Sequence, residues 1–84
     1  MNLTPEDLDR VQTKADFVAF MNTVLDDLTA RPEQWENADL RSYLEAIRAW
    51  VHDMDGYYIG RGEPVPDPDW RTLAHILAAA RIHE

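Results

Sequence analysis

The sequence predicts an all-α fold, a small bundle of three main helices with a short N-terminal helix in front. Three observations predict it. Apolar residues recur at steps of three and four in three separate stretches, each stretch follows a residue able to cap a helix, and no segment alternates long enough to make a strand. The 84 residues read as one domain, 1–84. A chain of this length buries only about 60–65% of the surface exposed when unfolded, so a thin core is expected.

The first element is expected over about 5–10. Thr4 can cap it, Pro5 suits the first helical position, and Glu6 and Asp7 complement the positive end of the helix dipole, turning Leu3, Leu8 and Val11 to the core. Thr13 with Asp16 three residues on resembles a capping box and opens a helix over 14–30. Its stripe is Phe17, Phe20, Met21, Val24, Leu25 and Leu28. Pro32 disfavours helix at Arg31 and ends it, leaving one turn at Glu33 to Glu36. Asn37 is the expected cap of the next helix, 38–54, whose stripe is Leu40, Tyr43, Leu44, Ile47, Trp50, Val51 and Met54, with Gly56 as the left-handed residue closing it. Gly60, Gly62, Pro64, Pro66 and Pro68 then predict a long loop over 56–67. Asp67, Pro68 and Asp69 start the last helix, 68–82, with Trp70, Leu73, Ile76, Leu77 and Ala80 on one face. Trp35, Trp50 and Trp70 each open or lie on an apolar stripe and read as core.

Sixteen acids against eight bases give a formal charge of −8. That balance repels phosphate backbones and anionic lipid, and the bases, Lys14 and seven arginines, are never adjacent. Nucleic acid and membrane are therefore excluded as partners. A basic protein is the complementary partner, and a second copy of the chain is a further candidate, since a thin core gains from association. The absence of cysteine removes disulfides, thiol catalysis and thiolate metal sites and suits a reducing cytoplasm. The start of the chain has no basic and apolar leader pattern, and no apolar stretch approaches the roughly 20 residues of a membrane span. A cytoplasmic bacterial protein is expected, the bacterial source from abundant alanine and arginine in preference to lysine.

No chemistry-bearing motif assembles. With Gly56 at the sixth position of a calcium loop, Asp53 and Asp55 fall at the third and fifth. The first position is then Val51 and the twelfth Gly62, so both outer anchors are missing. His52, His75 and His83 have no i, i+4 pairing for zinc. Gly60-Arg61-Gly62 is too short to cradle a phosphate and follows no strand. No catalytic residue, metal or cofactor is assigned. An enzymatic or small-ligand role would need a pocket between the 56–67 loop and the last helix, lined by Trp70 and a tyrosine.

The charges around the end of the second main helix carry the functional expectation. Asp53 and Asp55 are expected at the negative pole of that helix, where each exposed carboxylate costs about 0.3–1 kcal/mol. Asp26 and Asp27 repeat the pattern on the first main helix, partly offset by Arg31. Either Arg48, His52 or Arg61 neutralises Asp53 and Asp55, or the two acids belong to a recognition surface. Tyr57 and Tyr58 follow directly, and tyrosine joins large area to a polar tip. The candidate partner-binding set is Asp53, Asp55, Tyr57, Tyr58, Arg61 and Glu63. The exposed face of the same helix offers Asp39, Arg41, Glu45 and Arg48; Arg41–Glu45 and Glu45–Arg48 have the spacing of intrahelical ion pairs, and this mixed face reads as solvated.

The runs Trp35-Glu36-Asn37, Leu40, Tyr43-Leu44, Ala46 and Trp50, then Asp53-Met54-Asp55-Gly56-Tyr57-Tyr58 and Arg61-Gly62-Glu63-Pro64, resemble a family of small bacterial proteins known as a domain of unknown function. The likeness covers roughly Thr13 to Glu84 and implies the helical bundle without an activity. The chain is also similar in size and charge to the colicin DNase immunity proteins, with Tyr57 and Tyr58 matching their tyrosine pair and Asp55 nearby. It departs from them in lacking a proline after Tyr58 and in carrying Arg41 and Arg48. That likeness implies an acidic, non-catalytic toxin-immunity protein.

Overall fold

The computed structural model describes residues 5–83. The elements are α1 (Pro5–Asp9), α2 (Lys14–Ala30), a 3-10 turn (Pro32–Gln34), α3 (Leu40–Gly60) and α4 (Trp70–Ala80). The fold is all-α, with three main helices and a short N-terminal one, and no strand occurs among the described residues. Thr4 and Leu3, expected to cap and anchor α1, lie outside the described residues. The chain forms two compact units, Met1–Ile47 and Arg48–Glu84, and the division falls inside α3.

In the first unit, α2 begins with a complete capping box. Thr13 Oγ1 accepts from Asp16 N at 3.0 Å, and Asp16 Oδ2 accepts from Thr13 N at 3.2 Å and from Gln12 N at 3.1 Å. These bonds satisfy N–H groups that a helix start otherwise leaves unpaired. At the other end Pro32 stops the helix and starts the 3-10 turn, as proline's fixed φ and missing donor require. The turn is fastened to α2 through one carboxylate. Asp27, only 7% exposed, accepts from Arg31 Nε at 2.9 Å on Oδ1 and from Trp35 Nε1 at 2.9 Å on Oδ2. Trp35 also meets Tyr43, ring centroids 5.8 Å apart. The cap of α3 is Asp39, not Asn37: Asp39 Oδ1 accepts from Ser42 N at 2.9 Å and Oδ2 from Ser42 Oγ at 2.7 Å. A serine three residues on gives Asp39 two donors, and the helix accordingly starts at Leu40.

The second unit departs further from expectation. The helix does not close at Gly56 but runs on to Gly60, and the connector shrinks to residues 61–69. Gly56 has an ordinary helical backbone, and the one described residue with positive φ is Gly62, at 70°. Glu63 N donates to Tyr58 O at 3.0 Å and Gly62 N to Ile59 O at 3.1 Å. This is a Schellman closure with glycine in its left-handed position, and Pro64 follows directly after it. Helix α4 starts two residues later than expected. Its cap is Asp69, which accepts from Thr72 N at 3.1 Å and Thr72 Oγ1 at 2.7 Å.

The apolar stripes exist as helix faces, but they are largely open. Met54 (7% exposed) is the buried apolar residue among those described. Trp50 (51%) and Trp70 (42%), expected in the core, are exposed, as are Leu8, Phe17, Met21, Leu25, Leu73 and Leu77.

Candidate functional site

The C-terminal half of α3 and the turn after it position every residue of the expected partner-binding set. Trp50 is followed three and four residues on by Asp53 and Met54, these four and three residues on by Tyr57, and Tyr57 four residues on by Arg61, so they share one side of the helix. Met54 supplies the buried anchor there, and three aromatic rings lie alongside. Trp50 and Tyr57 have centroids 5.2 Å apart with planes tilted by 59°, and Tyr57 and Tyr58 stand 5.1 Å apart with a tilt of 51°. Both distances fall in the range where tilted rings attract beyond their area burial.

Arg61 completes the group. Its Nη1 donates to Tyr57 Oη at 2.7 Å, its guanidinium carbon lies 5.1 Å from the centre of the Tyr57 ring, and its Nε donates to Glu63 Oε1 at 2.6 Å. Glu63 foremost, and Tyr57 after it, raise the Arg61 pKa above its ordinary value. The Schellman closure brings Glu63 back towards the helix, so the pair depends on Gly62 keeping its left-handed backbone.

The two aspartates do not act as a pair. Residues two apart on a helix point about 160° away from each other. Asp53 therefore flanks Trp50 and Tyr57, whereas Asp55 faces another direction beside Ile59. Asp53 Oδ1 contacts His52 Nδ1 at 2.8 Å, both side chains being strongly exposed (75% for Asp53). Asp55 is exposed and has no hydrogen-bond or ion-pair partner among the described residues. Neither arginine nominated to neutralise these acids does so: Arg61 is held by Glu63 and Tyr57 instead, and Arg48 makes no described ion pair. The dipole premise also falls. With α3 extended to Gly60, both aspartates lie more than a turn before the negative pole, and the unfavourable effect is confined to the last turn.

Two contributors lie outside the set expected from the sequence. Trp50, expected in the core, stands three residues before Asp53 and seven before Tyr57, which puts it on their side of the longer helix. Asp27, expected as a misplaced charge only partly offset by Arg31, is held below the usual carboxylate range by the indole N–H of Trp35, ahead of the Arg31 guanidinium. The Asp27–Arg31 spacing of four was a visible signal; the reach of Trp35 across Pro32 was not.

Near the last helix, where a ligand pocket was a further expectation, the Trp70 indole donates to Asp67 Oδ1 at 3.1 Å. A groove of about 320 Å³ lies in the first unit, lined by Met21, Leu25, Leu28, Trp35, Leu40 and Tyr43 among others.

The model of one protein family, described as a family of unknown function (DUF7660), matches residues 13–84. The chain belongs to this family. The DUF7660 match begins at the Thr13 cap of α2, takes in all three main helices and spans both compact units. It includes every residue of the aromatic and charged group on α3. No curated protein and no solved structure matches the chain. Among the described residues no helix is long and apolar enough to cross a membrane.

Proposed function

We propose that this DUF7660 chain is a non-catalytic, acidic protein-binding module that meets a basic partner through Asp53, Asp55, Tyr57, Tyr58, Arg61 and Glu63, with Trp50 added to the set. The observation that carries the reading is the exposed aromatic group on α3: Trp50 is 51% and Tyr57 39% exposed, and the exposed Asp53 carboxylate lies on their side of the helix. Aromatic residues with a polar tip supply contact area at low entropic cost, and the surrounding carboxylates select a positive partner. The net charge of −8 adds long-range attraction for the same class of partner. A basic toxin is one member of that class, in keeping with the sequence likeness of Tyr57, Tyr58 and Asp55 to the immunity proteins. In this reading residues 1–84 act as one functional domain in the cytoplasm; a family match over residues 13–84 that runs across the division inside α3 supports the single domain.

The test is affinity purification from the native host, followed by titration of the purified partner. A basic protein whose binding weakens with salt and on Asp53→Lys or Asp55→Lys supports the reading. Capture indifferent to salt and to both substitutions counts against it.

A further inference from the structure

An arginine already sits on the aromatic group. The Arg61 guanidinium lies against the Tyr57 ring, takes the Tyr57 hydroxyl as one acceptor and is drawn by Glu63 as another. Guanidinium groups bind this way because they are planar, weakly hydrated and attracted by the negative face of an aromatic ring, and indole is the strongest such face. Trp50, 51% exposed and 5.2 Å from Tyr57, leaves a large indole surface beside the occupied ring. Asp53 lies on the same side, one helical step from each, with its carboxylate strongly exposed. The Arg61–Glu63 pair is itself about half exposed on both partners (52% and 45%), and ion pairs in that setting hold weakly.

We propose that Trp50, Tyr57, Tyr58 and Asp53 form a recognition site for an arginine side chain of the basic partner, with Arg61 as a displaceable internal occupant. This rests on the protein-binding reading above and specifies the partner's chemistry: an exposed arginine, in preference to lysine, entering over the indole and competing with Arg61 for the Tyr57 ring. Bound Arg61 lowers the fraction of chains ready to accept the partner, and apparent affinity falls by that fraction. Within the binding set Arg61 and Glu63 therefore act as competitor and tether, not as contacts to the partner: Glu63 strengthens the hold of the internal occupant. Asp53 serves the incoming one.

The experiment titrates the full chain with a tetra-arginine peptide and a tetra-lysine peptide of equal charge, followed by NMR of the Trp50 and Tyr57 ring signals, with circular dichroism confirming that each variant folds. The arginine peptide is expected to bind more tightly than the lysine peptide and to shift both rings. Trp50→Ala should weaken it about twofold to fivefold, the range of one lost exposed cation–π contact. Arg61→Ala, and the ring-preserving Tyr57→Phe that removes an acceptor from Arg61, should each tighten it about twofold to fivefold. Because Arg61→Ala and Tyr57→Phe alter exposed groups, the test survives if Trp50→Ala fails to fold. Weaker binding by Arg61→Ala overturns the proposal, as does equal binding of the two peptides with neither ring shifted. If the peptides bind equally yet Asp53→Lys and Asp55→Lys abolish binding, the arginine site is lost while the acidic protein-binding surface stands. If neither peptide binds, the arginine site is overturned, and the acidic protein-binding surface is judged by the host partner's response to salt and to Asp53→Lys and Asp55→Lys.

Discussion

Asp27 is where a single side chain does most for the first unit. Its two oxygens are divided between Arg31 and Trp35, so one carboxylate holds the end of α2 to the turn that follows. The folded pKa is lowered, foremost by the Trp35 indole and then by Arg31. The unfolded value is about 3.9, so the stabilisation is complete above roughly pH 4 and is lost as pH falls through the folded pKa. Urea unfolding midpoints should therefore drop below about pH 4. Asp27→Asn should start lower at pH 7 and show a flatter decline, because its amide has no proton to gain. The flattening is partial: the capping carboxylates Asp16, Asp39 and Asp69 are lowered as well, each by the groups it caps, with Gln12, Ser42 and Thr72 foremost respectively. Trp35→Phe keeps the ring facing Tyr43 and removes the indole donor, so its midpoint at pH 7 should fall while its acid-induced decline becomes shallower. None of this was legible beyond the Asp27–Arg31 spacing, because a tryptophan eight residues on is brought back only by the turn that Pro32 creates.

At the scale of the element, helix starts and stops decide what the sequence reveals. The Thr13 box was readable because cap and return partner stand three residues apart, and Thr13→Ala should cost about 1 kcal/mol of stability by chemical denaturation. Asn37 and Asp39 are both competent caps. Only the second has a hydroxyl residue three positions later, and that detail decided the start of α3. The end of α3 departs from the sequence expectation for a related reason. Glycine at position 56 reads as a stop when propensity is weighed alone, at a cost of about 1 kcal/mol in a helix interior. The sequence does not display the contacts of Tyr57 with Trp50 and Tyr58, nor the later closure at Gly62, and together these favour carrying the helix through. Two alanines test the outcome. Gly56→Ala should stabilise by about 0.5–1 kcal/mol, since a β-carbon there meets open space. Gly62→Ala should destabilise by about 1–2 kcal/mol from its left-handed backbone alone. A helix closed at Gly56 would invert the first sign. The same misjudged boundary hid part of the site, because Trp50, Asp53 and Tyr57 share a side only when the helix continues beyond residue 56.

For the whole molecule, charge separates the two candidate partners by the sign of their salt response. Attraction between this chain, at −8, and a basic protein weakens as counterions screen it, and the loss should appear mainly in the association rate. Two copies at −8 repel each other, so self-association through the open apolar faces should strengthen with salt. Sedimentation at low and high salt, alongside rate measurements with the basic partner, should show opposite trends. The all-α class and three main helices were legible from periodicity, which belongs to each helix alone. The extent of exposure along those stripes was not, because periodicity gives the direction of a face and never says what covers it. One detail of the α3 closure reaches further than helix stability. The same glycine that ends the helix aims Glu63 at the arginine on Tyr57, so a methyl group added at position 62 loosens that tether while it frays the coil. Heat resistance and grip on a partner would then move in opposite directions from a single torsion angle, and variants at this position would be missed by any screen that scored melting temperature alone.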